Sequence, residues 1–368
     1  MNNRMFGMKL LALMNSMIIF SGHVLSDTGC RPIKYELTER PMRAKLILKI
    51  GADKENEDFY KPRSFAIDRA GRIFILDSGN SRIQCFSKEG AFRFSFGKPG
   101  QGPGELSKTA SNIKILSDGN IYVIDNGQRR INVYTLEGKF LFFGKTSVYY
   151  DDIVLIDNAY YLSSILLDEN YKPIDVSRTL GKVDGSFGIF VEPAVGLVKE
   201  IDKLPIPGWD RFLSGSGFTN LIVGKNNEII FSQNNPYRLI KYDRDGRTLK
   251  DVSGDAGFDT FFQVNFTVKK NEVSVLNPKV ARILDMSVRG DDFLVVPFLD
   301  PEREYFYVDI YNLDLNLVSR HKMPNSLVND KKHEYLGQIF IDDEDNFYGL
   351  VSSQDNPPQL VKYKLFFH

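Results

Sequence analysis

The apolar positions of this chain fall into short runs, not long amphipathic stretches. Residues 64–68, 72–76, 82–86 and 92–96 are each strand-length, either alternating or wholly apolar, and each stops at a turn signal. The signals are Arg69-Ala70-Gly71, Asp77-Ser78-Gly79-Asn80 and Lys88-Glu89-Gly90, which combine glycine with side chains able to bond their own backbone. A 3.6-residue period is nowhere sustained, so helices are expected to be minor.

The block repeats. Gly71, Asp77, Arg82, Ile83, Phe86 and Gly90 return 48 residues later as Gly119, Asp125, Arg130, Ile131, Tyr134 and Gly138. Asn227, Arg238, Leu239, Tyr242 and Gly246 keep the same internal spacing in a third copy. Four antiparallel strands in about forty residues is the size of one propeller blade. The expected fold is therefore all-β, a six-bladed β-propeller of four-stranded antiparallel blades at 62–97, 108–144, 150–191, 219–254, 281–323 and 336–368. The last unit is one strand short, and residues 44–50 resemble the outermost strand of the others. That N-terminal strand is expected to complete the last blade, because closing the ring removes exposed sheet edges. The propeller domain then spans 44–368, after a linker at 27–43.

Residues 1–26 read as an export signal: Arg4 and Lys9 give a positive start, an apolar stretch follows over 10–20, and Ser26 ends a plausible cleavage site. The expected location is extracytoplasmic, whether secreted, periplasmic or lipid-anchored. The anchored alternative places a lipid on Cys30 after cleavage before it. Cys30 and Cys85 are the only cysteines, which excludes a disulfide-stapled scaffold and a Cys-rich metal site. Cys85 lies in an apolar strand pattern and reads as core packing. Lys plus Arg and Asp plus Glu balance at 47 each, so nucleic acid is not an expected partner. A monomer is expected.

The segment Pro62-Arg63-Ser64-Phe65-Ala66-Ile67-Asp68, with Gly71-Arg72-Ile73-Phe74-Ile75-Leu76-Asp77-Ser78-Gly79-Asn80-Ser81-Arg82-Ile83-Gln84 and Gly100-Gln101-Gly102-Pro103-Gly104-Glu105, resembles an NHL repeat with its inter-blade loop. The likeness is specific over 62–144 and diffuse elsewhere. It departs at the histidine that helps name the family, where this chain has Ser81 and Arg129. The chain also resembles bacterial exported six-bladed β-propeller proteins. Fold does not carry function, so the resemblance implies an architecture more than an activity.

In such an architecture the first strand of each blade lines a central channel, and the crossings between blades open on one face. Residues 97–110, 192–218 and 251–280 are longer than a crossing needs, and loops of this length are commonly functional. Trp209, Phe212 and Phe218 in one, and Phe258, Phe261, Phe262 and Phe266 in another, suit a binding surface. They suit a satellite apolar cluster equally well. Aligned first strands put Ser64, Asn112, Asp152, Asn220 and Gln338 at one position, with Leu284 or Asp285 in the fifth unit. The candidate ligand-binding residues are Arg63, Asn112, Asp152, Trp209, Phe212, Asn220, Asp285 and Gln338. The expected function is noncatalytic recognition of a protein, peptide or glycan by the loop face, with no cofactor. The alternative is a calcium-dependent hydrolase resembling the propeller lactonases, with calcium held by the oxygens of the polar ring. Arg82, Arg130 and Arg238 repeat with the unit and read as structural. His23, His321, His333 and His368 are too scattered for a multi-histidine centre, and no Gly-x-Ser-x-Gly elbow is present.

Overall fold

The computed structural model describes residues 39–51, 58–146, 149–167, 173–183, 198–205, 219–233, 237–253, 266–269, 272–275, 281–290, 292–300, 302, 304–324, 333–353 and 357–368. Among these the chain is strand throughout, relieved only by single 3-10 turns at Ser78–Asn80, Asn126–Gln128 and Lys225–Asn227. It opens with β1 (Glu39–Ile50). Two four-stranded sheets follow, of β2 (Ser64–Ile67), β3 (Ile73–Asp77), β4 (Arg82–Phe86) and β5 (Phe92–Phe96), and of β6 (Asn112–Ile115), β7 (Ile121–Asp125), β8 (Arg130–Tyr134) and β9 (Phe140–Lys145). The third holds β10 (Tyr149–Ile156), β11 (Ala159–Leu167), β12 (Pro173–Val183) and β13 (Val198–Pro205). The fourth holds β14 (Thr219–Val223), β15 (Ile229–Gln233), β16 (Arg238–Tyr242) and β17 (Thr248–Ser253). All four are antiparallel meanders in chain order.

Two segments read as crossings carry regular structure. β13 lies inside 192–218, so the third unit runs past the expected 191, with β12 as its third strand. The segment 251–280 contains the end of β17 and a hairpin of β18 (Phe266–Lys269) and β19 (Glu272–Val275). Between β12 and β13 the connection is long, so no tight turn signal marks the strand boundary, whereas β18 and β19 are separated by only residues 270–271, which carry no glycine or proline. Residues 1–38, with the signal and Cys30, lie outside the described residues, as do Trp209, Phe212, Phe218, Phe258, Phe261 and Phe262.

The fifth group is β20 (Arg282–Ile283), β21 (Ser287–Arg289), β22 (Phe293–Leu299), β23 (Tyr305–Asn312) and β24 (Leu317–Pro324). The sixth is β25 (His333–Ile341), β26 (Asn346–Ser353) and β27 (Gln359–Phe367). β1 joins them. Residues Met42 to Ile50 pair antiparallel with β27, while Glu39, Arg40 and Pro41 pair parallel with Arg320, His321 and Lys322 of β24. The strand thus begins at Glu39, inside the expected linker, and merges the two groups into one nine-stranded sheet.

Turn chemistry explains why some units repeat clearly and others do not. Between the third and fourth strands Ser87, Thr135, Asp243 and Asn312, and in the opening turn of the sixth unit Asp342, each accept backbone N–H groups from residues two and four further on. The left-handed position that follows is Gly90, Gly138 and Gly246 in the first, second and fourth units, but Leu315 and Asp345 in the last two (φ 53° and 59°). There the accepting side chain holds the turn without glycine's freedom. Ser81 and Arg129, standing where the NHL pattern has histidine, are also left-handed (φ 53° and 50°) and close the two 3-10 turns.

The core lies between sheets. Phe74, Leu76, Ile83 and Cys85 pack on Ile113, Ile121 and Val123; Tyr122, Ile124 and Ile131 pack on Tyr150 and Ile153; Val154 and Tyr161 pack on Leu221 and Phe231. Ile230 and Leu239 meet Leu294 and Val296; Val295 and Phe306 meet Ile339 and Phe347; and Tyr348 and Leu350 meet Phe65, Ile73 and Ile75 of the first sheet. The fourth interface also holds a buried ion pair. Arg320 Nε and Nη2 donate to the two oxygens of Asp309 at 2.7 Å each, Tyr237 OH donates to Asp309 at 3.1 Å, and the guanidinium lies over the Phe298 ring. Asp309→Ala would strand this guanidinium among aromatics, and a loss of about 3–5 kcal/mol in denaturant unfolding is expected.

At the seam of β1, β24 and β27, His321 is buried, its edge against Phe367 and its Nδ1 without a partner among the described residues. Burial, then the nearby Arg40 and Arg289, hold its pKa below the ordinary histidine value. The unfolded chain therefore takes up a proton that the folded one resists, and stability is lost as pH falls below about 6.5. In His321→Gln the dependence of the melting temperature on pH between about 7 and 5 should flatten, measured against the wild type.

Candidate functional site

Each first strand starts with a polar residue followed by an apolar one that packs on the preceding sheet. The pairs are Ser64 and Phe65, Asn112 and Ile113, Asp152 and Ile153, Asn220 and Leu221, and Asp285 and Met286. The fifth register follows from backbone bonds: Leu284 N donates to Pro297 O as Ser111 N does to Ile124 O and Arg63 N to Leu76 O. Asp285 and Asp152 also accept the next residue's own N–H, at 2.7 and 2.8 Å. Gln338 lies in β25, one residue before Ile339 of the fifth interface. Leu284 falls one place earlier, in the cluster facing the sixth group.

These polar groups spend their bonding on one another. Ser64 Oγ donates to Asn112 Oδ1 at 2.8 Å and accepts Ile113 N at 3.2 Å. Asn112 Nδ2 donates to the Asp151 carbonyl at 2.8 Å and to Asp152 Oδ1 at 3.3 Å. Asp152, 1% exposed, also receives Lys114 Nζ at 2.6 Å and Leu221 N at 2.7 Å on Oδ2. Lys114 Nζ then reaches the Leu221 carbonyl at 2.8 Å. Asn220 Nδ2 donates to Ser232 Oγ at 3.1 Å. The result is a polar belt that satisfies backbone groups on the edges of three successive first strands, β6, β10 and β14.

Lys114 is the member that sequence reasoning missed. Its signal was present: a lysine alternating with Ile113 and Ile115 in a four-residue strand, and so placed on the same face as Asn112. With its ammonium on Asp152, that carboxylate accepts four donors through two oxygens. A calcium ion bound there would have to displace Lys114 and two backbone N–H groups, so the belt does not fit calcium as it stands. Among the described residues no group of three or more His, Cys, Asp or Glu side chains gathers as metal ligands.

The repeated residues hold crossings. Asp125 accepts Ser107 N at 2.8 Å and Asp77 accepts Tyr60 N at 2.7 Å, each tying the incoming segment to its sheet. Arg130 donates to the Gln101 and Gly102 carbonyls at 2.9 and 3.0 Å, and Glu105 accepts Gly102 N at 2.7 Å, so the glycine-rich loop closes on protein groups. At Gly104 (φ 73°) a Cβ would lie 3.0 Å from Phe140, which explains the glycine. Arg82 pairs with Asp77, and Arg238 with Asp251 inside its own sheet. Burial pushes the Cys85 thiol up to about 11, a packing environment and not a nucleophile's. Arg63 is exposed at the approach to β2.

If Asp152 works as the belt's anchor, Asp152→Ala leaves the Lys114 ammonium and two N–H groups uncompensated. A loss of about 3 kcal/mol in urea unfolding is expected, equal in calcium and in chelator.

A family model described as 6-bladed beta-propeller matches residues 66–174. No curated protein matches the chain. Among solved structures, a member of the duf4221 family from Bacteroides vulgatus is similar with a TM-score of 0.56 at 12% identity, over 90% of this chain and 99% of that one. A candidate exported protein from Bacteroides fragilis follows at 0.50 and 13% identity, covering 89% and 95%. A streptogramin B lyase structure lies at 0.47 and 12%, covering 89% and 98%. At these identities likeness speaks for fold alone, and it agrees with the four-stranded antiparallel sheets: the chain folds as a β-propeller.

Proposed function

We propose that this is a six-bladed propeller of NHL type, closed by its N-terminal strand, that acts outside the cytoplasm as a noncatalytic binding module. The domain runs from the closing strand to residue 368, behind a signal at 1–26, with Cys30 as the point of any lipid tether. It works as a monomer and presents its inter-blade loops to a protein, peptide or glycan.

The observation that carries this reading is the closed polar belt. Catalysis in a channel needs a carboxylate free to move a proton or bind a metal. Here Asp152 is saturated by its neighbours and pinned to an ammonium. The chemistry left for a ligand lies on the crossings, where Arg63 is exposed and where the aromatic segments begin. The chain's likeness to a candidate exported protein and its N-terminal pattern both favour an extracytoplasmic site.

Alanine at both Trp209 and Phe212 should abolish capture of a partner from the cell-envelope fraction while the far-ultraviolet circular dichroism and melting temperature stay unchanged. Capture that survives both substitutions would move the binding face elsewhere.

A further inference from the structure

Arg282 opens the fifth sheet's first strand and is the one guanidinium there that the described structure leaves without a charge partner. Its neighbours Ala281 and Ile283 are buried against the fourth sheet, packed with Tyr237 and Phe298. Alternation therefore sends Arg282 to the opposite face, the face of Leu284 and of its cross-strand partner Leu299. Both leucines belong to the apolar cluster between the fifth and sixth groups, with Phe306 and Val308. Arg282 is half-buried, and its Nε is buried with no hydrogen-bond partner among the described residues.

The acids nearest in the chain are committed. Asp285 accepts Met286 N at 2.7 Å, and Asp300, next to Leu299, accepts Tyr305 N at 2.7 Å and Glu302 N at 3.2 Å. Burial alone lowers the pKa of Arg282 from its ordinary value, with no charged group contributing. The contrast with other arginines is direct: Arg320 has Asp309, Arg238 has Asp251, Arg82 has Asp77 and Arg289 has Asp345. A desolvated cation without a counter-charge costs stability, and proteins keep such costs where a ligand removes them.

We propose that Arg282 is the anchor of a ligand site for a carboxylate carried on an apolar body. A single guanidinium fork matches one carboxylate in charge and in its two parallel N–H donors, whereas a phosphate dianion would call for a second cation. The apolar body would lie against the Leu284 and Leu299 side. The position is the loop-face end of the first strand, since Arg282 precedes the belt residue Asp285 by three, so the inference deepens the binding reading and rests on it for the face used. The chain terminus of a peptide and a free hydrophobic acid share this chemistry.

The test is thermal unfolding of the purified protein at fixed ionic strength with N-acetylleucine, its amide and hexanoate. Both acids should raise the melting temperature in a saturable way and the amide should not. A stronger response to N-acetylleucine than to hexanoate identifies a peptide terminus, and equal responses a free acid; both support the site. Arg282→Met should melt at or above the wild-type temperature without ligand and bind the acids at least tenfold more weakly. Arg282→Lys keeps the charge and loses the fork, so its response should fall several-fold with the fold intact, which covers the case of a misfolded methionine variant. An equal effect of the amide, an undiminished response in either variant, or a marked drop in the ligand-free melting temperature of both would overturn the proposal. No partner protein enters this measurement, so loss of capture in the Trp209 and Phe212 variants and loss of the acid response fail separately.

Discussion

A β-strand can hand its backbone from one partner to another along its length, and the arrangement of this chain turns on one strand that does so. β1 pairs antiparallel with the last strand along most of its length and parallel with β24 at its beginning. Backbone groups left open on an edge recruit other chains, so the pairing removes a hazard at the same time as it joins the fifth and sixth groups. The side chains follow suit: Met42 enters the cluster with Met323 and Leu365, while Ile50 reaches the one shared with Phe59 and Phe65. One strand thus feeds two interfaces.

The polar belt is the second organising feature and obeys the same rule. First strands have an unpaired inner edge, and here Asp152, Asn112, Ser64 and Lys114 supply the missing partners across sheet boundaries. Buried polar groups are tolerated when each is satisfied, and a fully satisfied network fixes relative position. The belt therefore positions sheets.

How much of this could be read from the residues depended on the turn chemistry. Units with glycine at the left-handed turn position announced themselves, because Gly90, Gly138 and Gly246 made the period visible. Leu315 and Asp345 occupy the same conformation without a compositional mark, so the later units looked degenerate while keeping their strands. β13 was hidden because it pairs with a strand far back along the chain, and the β18–β19 hairpin because the two residues between its strands include no glycine or proline. Alignment put polar residues at equivalent places on the first strands but left Leu284 and Asp285 both open, and the bond from Leu284 N to Pro297 O decides for Asp285. What alignment could not supply was pairing: that Lys114 would neutralise Asp152, or that Arg282 would find no acid beside it among the described residues.

The double use of β1 also dictates an order of events. Synthesis delivers the N-terminus first, whereas the partners of β1 lie at residues 320–322 and 360–367. Contacts so distant along the chain form late. Through that interval β1 waits as an unpaired strand with Leu46 and Ile47 on show, and four cations, Arg40, Arg43, Lys45 and Lys49, stand on its exposed positions. Like charges repel, so these cations oppose the pairing of β1 with a second copy of itself until the far end of its own chain is made.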